Sequence, residues 1–67
     1  MNYAEFDNQM RIVVMALWEQ GYDPYAQLSG YLQYDDPSYI TRNRNARILV
    51  QKLDKEQIRQ FLINHYK

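Results

Sequence analysis

The chain has 67 residues, no cysteine and a single histidine, which excludes a disulfide framework and a structural zinc site of the usual kind. A domain of this size buries only about 60% of the surface that its unfolded chain exposes, so we expect residues 1–67 to form one domain stabilised as a homodimer. The longest uncharged apolar segment, 12–18, is far shorter than the roughly 20 residues that span a bilayer. We therefore expect a cytoplasmic protein without a membrane partner.

The net charge is zero, but the two halves of the chain are oppositely charged. Residues 1–40 carry one basic and six acidic side chains, whereas residues 41–67 carry seven basic and two acidic ones. Such a division is typical of a basic binding face, and equally of two halves that attract each other within or between subunits.

The first predicted helix spans 3–20 and ends at Gly21, which would act as a left-handed cap. Apolar residues at spacings of three and four form one face: Tyr3, Phe6, Met10, Val13 and Leu17. A second apolar set widens that face: Ile12, Val14, Met15 and Trp18. A helix that is apolar on more than one side needs two partners, here the rest of the domain and a second subunit. We expect Trp18 in the core or at the dimer interface.

The pair Asp23-Pro24 predicts the start of a second helix over about 24–34, because Asp accepts from first-turn amides and Pro has no amide hydrogen to leave unpaired. Gly30 lies inside this helix at a cost of roughly 1 kcal/mol relative to Ala. An interior glycine indicates a close neighbour, and we expect the first helix or its symmetry mate to pack over Gly30.

A turn at 35–38 leads into a single helical turn and then a third helix, about 43–53, capped by Thr41 or Asn43. A fourth helix, 55–66, begins after Asp54 in a capping-box pattern. No strand pattern is present, so the predicted fold is all-α: a compact bundle of four to five short helices in an intertwined or face-packed homodimer. The residues expected in the core or dimer interface are Val13, Leu17, Trp18, Leu28, Gly30, Leu32, Leu49, Phe61 and Leu62.

The chain offers little for catalysis. His65 is more simply a residue at a helix C-terminus than a ligand or base, and the adjacent Asp35 and Asp36 are more simply turn formers than an acid and base pair. No nucleophile and base set, phosphate loop or metal-ligand spacing occurs. We predict no enzyme activity, no cofactor and no metal.

A basic strip along the third helix is the best candidate for a binding surface: Arg42, Arg44, Arg47, Lys52 and Lys55. Arginines leading a helix after a short turn would suit a small DNA-binding regulator of helix-turn-helix type. The zero net charge and the six acids of the first half disfavour nucleic acid, and an acidic protein surface would suit the strip as well. A purely structural dimer module is the third alternative.

Several segments resemble one family of proteins. G-Y-D-P, Q-L-x-G-Y-L, D-P-S-Y-I-T, N-A-R and K-L-D-K-E-Q-I follow one another with uninterrupted spacing over about residues 11–66. They are similar to the G-Y-N-P, Q-I-V-G-Y-L, G-D-P-x-Y-I, A-R and R-K-L-E-R-D-E segments of the IreB/ReoM family of small cytoplasmic regulators of Gram-positive bacteria.

The resemblance implies an all-helical homodimer that acts downstream of a membrane Ser/Thr kinase and its phosphatase. In the unphosphorylated form, relatives promote degradation of an early peptidoglycan-synthesis enzyme by a Clp-type protease, which restrains cell-wall synthesis and antibiotic tolerance. The implied partner-binding residues are Arg42, Arg47, Lys52 and Lys55, while Gln51 replaces an arginine of the family.

Relatives carry phosphorylated threonines in a tail before the first helix, whereas Thr41 is the one threonine here. The explanations are a truncated chain, a divergent paralogue, or a phosphosite moved to Thr41, Ser38 or Ser29. The start at Met1 favours the paralogue. A phosphate on Thr41 would pair with Arg42 and Arg44, and an unchanged mass after incubation with the cognate kinase would count against that hypothesis.

Overall fold

A computed structural model describes residues 2–66 and confirms the all-α prediction. Its α-helices are α1 (Tyr3–Glu19), α2 (Pro24–Tyr34), α3 (Ala46–Gln51) and α4 (Lys55–His65), with 3₁₀ turns at Pro37–Tyr39 and Asn43–Asn45. No strand occurs among these residues. Met1 and Lys67, the latter counted above in the basic half, lie outside the described part of the chain.

The helix ends follow local signals in the sequence. The side chains of Asp23 and Asp54 accept from the backbone amides of Tyr25 and Gln57, each at 3.0 Å, and so begin α2 and α4 as predicted. Gly21 has φ +80° after α1, and its amide donates to Trp18 O at 2.9 Å. This left-handed residue closes α1, as predicted.

The core forms where α1 packs on α3 and α2 packs on α4. Its fully enclosed side chains come from every α-helix and from the turn before α3: Met10, Val13, Leu17, Leu28, Ile40, Val50 and Ile58. Among the other residues predicted for the core or interface, Leu62 is buried, while Leu32, Leu49 and Phe61 are partly buried against the core.

Trp18 is not part of this core, because its side chain is 61% exposed. Ile12 and Met15 on the same helix are also exposed. Of the second apolar set predicted for α1, Val14 packs partly against the core, while Met15 and Trp18 line a groove of about 470 Å³ between α1 and α4. Burial of the exposed residues in a dimer stays a prediction.

The third helix was predicted over 43–53, but the observed helix, Ala46–Gln51, is shorter at both ends. Arg44 and Asn45 adopt left-handed φ angles of 54° and 60°, so α3 begins only at Ala46, without a side-chain cap. Neither Thr41 nor Asn43 caps it. Asn accepts a left-handed conformation readily, and Arg44 is held by a contact from α1 described below.

The prediction that α1 packs over Gly30 is also corrected. The predicted close approach is present, but it comes from the ring of Tyr39 and not from α1. A Cβ at position 30 would lie 2.5 Å from two ring carbons of Tyr39. That ring stacks on Tyr34 at 5.8 Å between centroids, and Gln27 Nε2 donates to Tyr39 O at 2.9 Å. Gly30 therefore makes room for the turn that leads to the basic segment.

Among residues 2–66, no helix combines the length and apolarity needed to cross a membrane.

Candidate partner-binding site

The segment between Ile40 and Ala46 carries the first arginines of the predicted strip, and the core holds both of its ends. Ile40 and Ala46 are completely buried. Arg47 Nε, one residue into α3, donates to Ile40 O at 2.8 Å. Because this bond uses only one of the five guanidinium donors, Arg47 is held in place while donors remain for a ligand.

Glu19 at the end of α1 fixes the same segment from the other side. Arg44 Nε and Nη2 donate to its two carboxylate oxygens at 2.6 Å each. Asn43 Nδ2 donates to Glu19 Oε1 at 2.9 Å and to Ala16 O at 3.1 Å. The paired donors of Arg44, with the Asn43 amide, lower the pKa of Glu19 from 4.5 to about 2.

We predict that the Glu19 carboxyl titrates near pH 2 in a carbon-detected NMR titration. Because folding lowers its pKa, its contribution to stability is present above about pH 4.5 and is lost as the pH falls towards 2. The melting temperature of the wild type should therefore fall more steeply over this interval than that of Glu19→Gln. In Arg44→Ala the NMR titration midpoint of Glu19 should move back towards 4.5. Equal midpoints for Glu19 in the wild type and in Arg44→Ala would contradict the assignment.

The contact with Glu19 is one of several that neutralise basic residues within the chain. Arg11 pairs with Asp7, Arg44 with Glu19, Lys55 with Asp35 and Arg59 with Glu56. Three basic residues make no salt bridge to a carboxylate of residues 2–66: Arg42, Arg47 and Lys52. All three belong to the predicted strip.

Two of these three residues line a common cleft of about 200 Å³. We call it the Arg42–Arg47 cleft, and its lining residues are Arg42, Asn45, Arg47, Ile48 and Gln51. No carboxylate is among them. Gln51 Nε2 donates to Arg47 O at 2.9 Å, which orders this side of the cleft. The cleft thus presents hydrogen-bond donors and positive charge that form no salt bridge to a carboxylate of residues 2–66.

Lys55 does not join the cleft, so the predicted strip divides in the folded chain. Its ammonium group bonds to Asp35, which raises the pKa of Lys55 above its usual value, and it lies 5.6 Å from the ring centroid of Tyr31. Lys52 is exposed one residue beyond α3. Neither residue lines the cleft, and Arg42 and Arg47 are the members of the strip that the fold brings together there.

Thr41, the candidate phosphosite, has a half-buried side chain whose Oγ1 accepts from the Asn43 amide at 3.1 Å. Of the two arginines that the hypothesis places on its phosphate, Arg44 already binds Glu19 through two donors, whereas Arg42 makes no salt bridge to a carboxylate of residues 2–66. A phosphate at Thr41 would have to compete with Glu19 for Arg44, and the site stays a prediction.

Ile48 and Asn45 are the cleft residues that the sequence did not single out. Ile48 is 55% exposed although it lies in a short helix with an otherwise clear inner face. The available signal was its place beside Arg47 on the basic side of that helix. For Asn45 the one local signal was its residue type, which readily adopts the left-handed conformation seen here but does not indicate a binding role.

The described residues contain no group of three His, Asp or Glu side chains placed to hold a metal ion. His65 packs its ring on Phe61, with the centroids 4.2 Å apart. The fold and the cleft together define a small all-α protein with a cleft lined by two arginines that make no salt bridge among residues 2–66.

Comparison with known proteins names the family. Residues 1–67 match the model of the family described as IreB regulatory phosphoprotein. A UPF0297 protein of Lachnoclostridium phytofermentans is 46% identical over 55 residues, which cover 82% of this chain and 62% of the relative. A UPF0297 protein of Clostridioides difficile (strain 630) is 44% identical over 54 residues, covering 81% and 64%. The chain belongs to the IreB family, as its motifs predicted, and its matched part spans less than two thirds of these relatives' length.

Proposed function

We propose that the chain is a non-enzymatic regulatory adaptor that binds an acidic surface of a partner protein in the Arg42–Arg47 cleft. The observation that carries the proposal is the selective pairing of charges. The fold neutralises Arg44 and Lys55 with its own carboxylates, while Arg42 and Arg47 converge on a cleft without one. Arginine forks bind carboxylates through two parallel bonds, which gives such a site both affinity and orientation.

The family points to the process in which the adaptor acts. By resemblance, the partner is a cell-wall enzyme or a component linked to a Clp-type protease, and binding controls turnover of a peptidoglycan-synthesis enzyme. A Ser/Thr kinase and its phosphatase would regulate the adaptor. A pull-down with the purified chain, compared with Arg42→Ala/Arg47→Ala, tests the partner site, and the double variant should lose the partner.

A DNA-binding function gains no support from α3, whose six residues amount to fewer than two turns. Two residues with left-handed φ angles, Arg44 and Asn45, precede this helix, where a helix-turn-helix protein would have a regular turn between helices. A gel-shift assay with duplex DNA tests this function: a DNA complex whose affinity falls steeply as the salt concentration rises would favour it.

We also propose that the exposed face of α1 joins two chains into a homodimer, with Trp18 as its anchor. Trp18→Ser should weaken self-association by about 100-fold, because large aromatic side chains contribute most to interface energies. In sedimentation equilibrium, the average mass should fall from that of a dimer in the wild type towards that of a single chain in Trp18→Ser. Ile63→Ser is a matched control, since Ile63 is also a large exposed apolar residue but lies on α4. A monomeric wild type, or equal effects of both variants, would contradict the proposal.

A further inference from the structure

Ile48 is an exposed aliphatic residue within a charged cleft. A single exposed isoleucine is ordinary on a protein surface. Ile63, for example, is 48% exposed on α4, in a groove whose arginine, Arg59, is already paired with Glu56. Ile48 differs because the arginines beside it have no carboxylate partner among residues 2–66.

The spacing along the chain places further donors near Ile48. Gln51 follows it by three residues and Lys52 by four, which puts their side chains on the same side of the helix and its last turn. Arg42 and Arg47 complete the cleft. The carboxylate of Asp36 does not line the cleft, but hydrogen bonds from Ser38 and, to a lesser extent, the nearby charge of Arg47 lower its pKa. Ile48 is thus an apolar spot with cationic and amide donors around it.

The composition of the cleft restricts what can cover it. A purely apolar segment would remove water from the arginines without replacing its hydrogen bonds, which is unfavourable. A purely acidic segment would satisfy the arginines but would gain nothing from the apolar surface of Ile48. The cleft of about 200 Å³ is also smaller than the roughly 300–1,000 Å³ typical of pockets for small-molecule ligands.

We infer that the Arg42–Arg47 cleft binds a peptide segment in which carboxylates flank one bulky apolar side chain, and that Ile48 receives that side chain. This inference rests on the proposed function and specifies the chemistry of its partner. The carboxylates pair with Arg42 and Arg47, and the apolar side chain covers Ile48. Ile48 therefore selects among acidic segments, whereas the arginines set the affinity for all of them.

The test uses two short synthetic peptides, labelled with fluorescein, in which acidic residues flank either a leucine or a serine. Their affinities for the full chain are measured by fluorescence anisotropy at low ionic strength, where charge pairs are least screened. The leucine peptide should bind the wild type at least about fivefold more tightly, since burial of one aliphatic side chain is favourable. Ile48→Ser should remove this preference without changing the affinity for the serine peptide.

Matched variants separate a specific role of Ile48 from a general loss of apolar surface. Ile48→Leu should keep the preference for the leucine peptide, and so should Ile63→Ser, which removes a similarly exposed isoleucine from another groove. Arg42→Ala/Arg47→Ala should lose both peptides. Circular dichroism should show unchanged helix content in every variant, because Ile48 and Ile63 are exposed.

The outcomes distinguish this inference from the proposed function. If both peptides bind with equal affinity and both need the arginines, the inference is overturned while the proposed function stands. If neither peptide binds the wild type, both are overturned. If Ile48→Ser changes the sedimentation of the chain and not its peptide preference, the cleft is an interface between copies of the chain, which also overturns the inference.

Discussion

Gly30→Ala should lower the free energy of unfolding by about 1–3 kcal/mol, and the melting temperature by at least about 5 °C. Alanine alone would favour α2 by up to roughly 1 kcal/mol, because glycine is a poor helix former. The new Cβ, however, would lie 2.5 Å from ring carbons of Tyr39. The stack on Tyr34 and the hydrogen bond from Gln27 restrict how that ring can retreat, so overpacking outweighs the gain in helix propensity.

A double-mutant comparison isolates this contact from the intrinsic preference of the helix. In a Tyr39→Ala background the ring is gone, and Gly30→Ala should become stabilising by up to about 1 kcal/mol. Ala26→Gly, at an exposed position of the same helix, reports the propensity term alone. Urea unfolding of the wild type, Gly30→Ala, Tyr39→Ala and the double variant gives the coupling free energy between the two positions. If Gly30→Ala stabilises the chain while Tyr39 is present, the assigned contact is wrong.

Arg42→Ala/Arg47→Ala should reduce partner binding by at least about 100-fold, or roughly 3 kcal/mol. Removing two arginines leaves the partner's carboxylates desolvated and unpaired, and each such loss is costly. The fold should persist with a small decrease in stability, because Arg47 also contributes one hydrogen bond to Ile40 O. Pull-down and circular dichroism on the same preparations measure the two effects separately.

Arg11→Ala/Arg59→Ala is the matched control for that variant. It removes the same charge, but from residues that pair with carboxylates on their own helices. Binding should be nearly unchanged, since neither residue lines the Arg42–Arg47 cleft, and the loss of two exposed pairs should cost little stability. Equal losses in the two double variants would show that the overall charge, and not the cleft, determines binding.

The sequence predicted those parts of the fold that depend on neighbouring residues. Asp23, Asp54 and Gly21 determine helix ends through bonds within one turn, so their positions could be inferred without the structure. The apolar face of α1 likewise follows from spacing alone. Predictions that needed a distant contact were less complete: a neighbour for Gly30 was expected, but Tyr39 reaches it only because of the path of the turn after α2.

The third helix shows why local patterns failed. Thr41 and Asn43 are good capping residues, and nothing within 43–53 forbids a helix. The left-handed conformations of Arg44 and Asn45 accompany a bidentate contact with Glu19, which lies 25 residues before Arg44. A contact over such a distance has no signature in the residues next to it.

The same limit applies to the candidate site. Spacing placed the basic residues in one strip, but the carboxylates that neutralise some of them come from elsewhere in the chain. Asp35 pairs with Lys55 and Glu19 with Arg44, and these pairs leave Arg42 and Arg47 as the arginines of the cleft. The sequence identified the basic region, and the fold determines which of its members make no salt bridge to a carboxylate of residues 2–66.

Site-specific photocrosslinking tests the central claim, partner binding in the Arg42–Arg47 cleft, most directly. A photoreactive phenylalanine replaces Gln51, which lines the cleft, or Gln33, which is also exposed but lies on α2 in a different groove. In the native host, the probe at position 51 should form a discrete protein adduct that Arg42→Ala/Arg47→Ala abolishes, while the probe at position 33 should not. An adduct from position 33 alone, or one from position 51 that survives the loss of both arginines, would contradict the account.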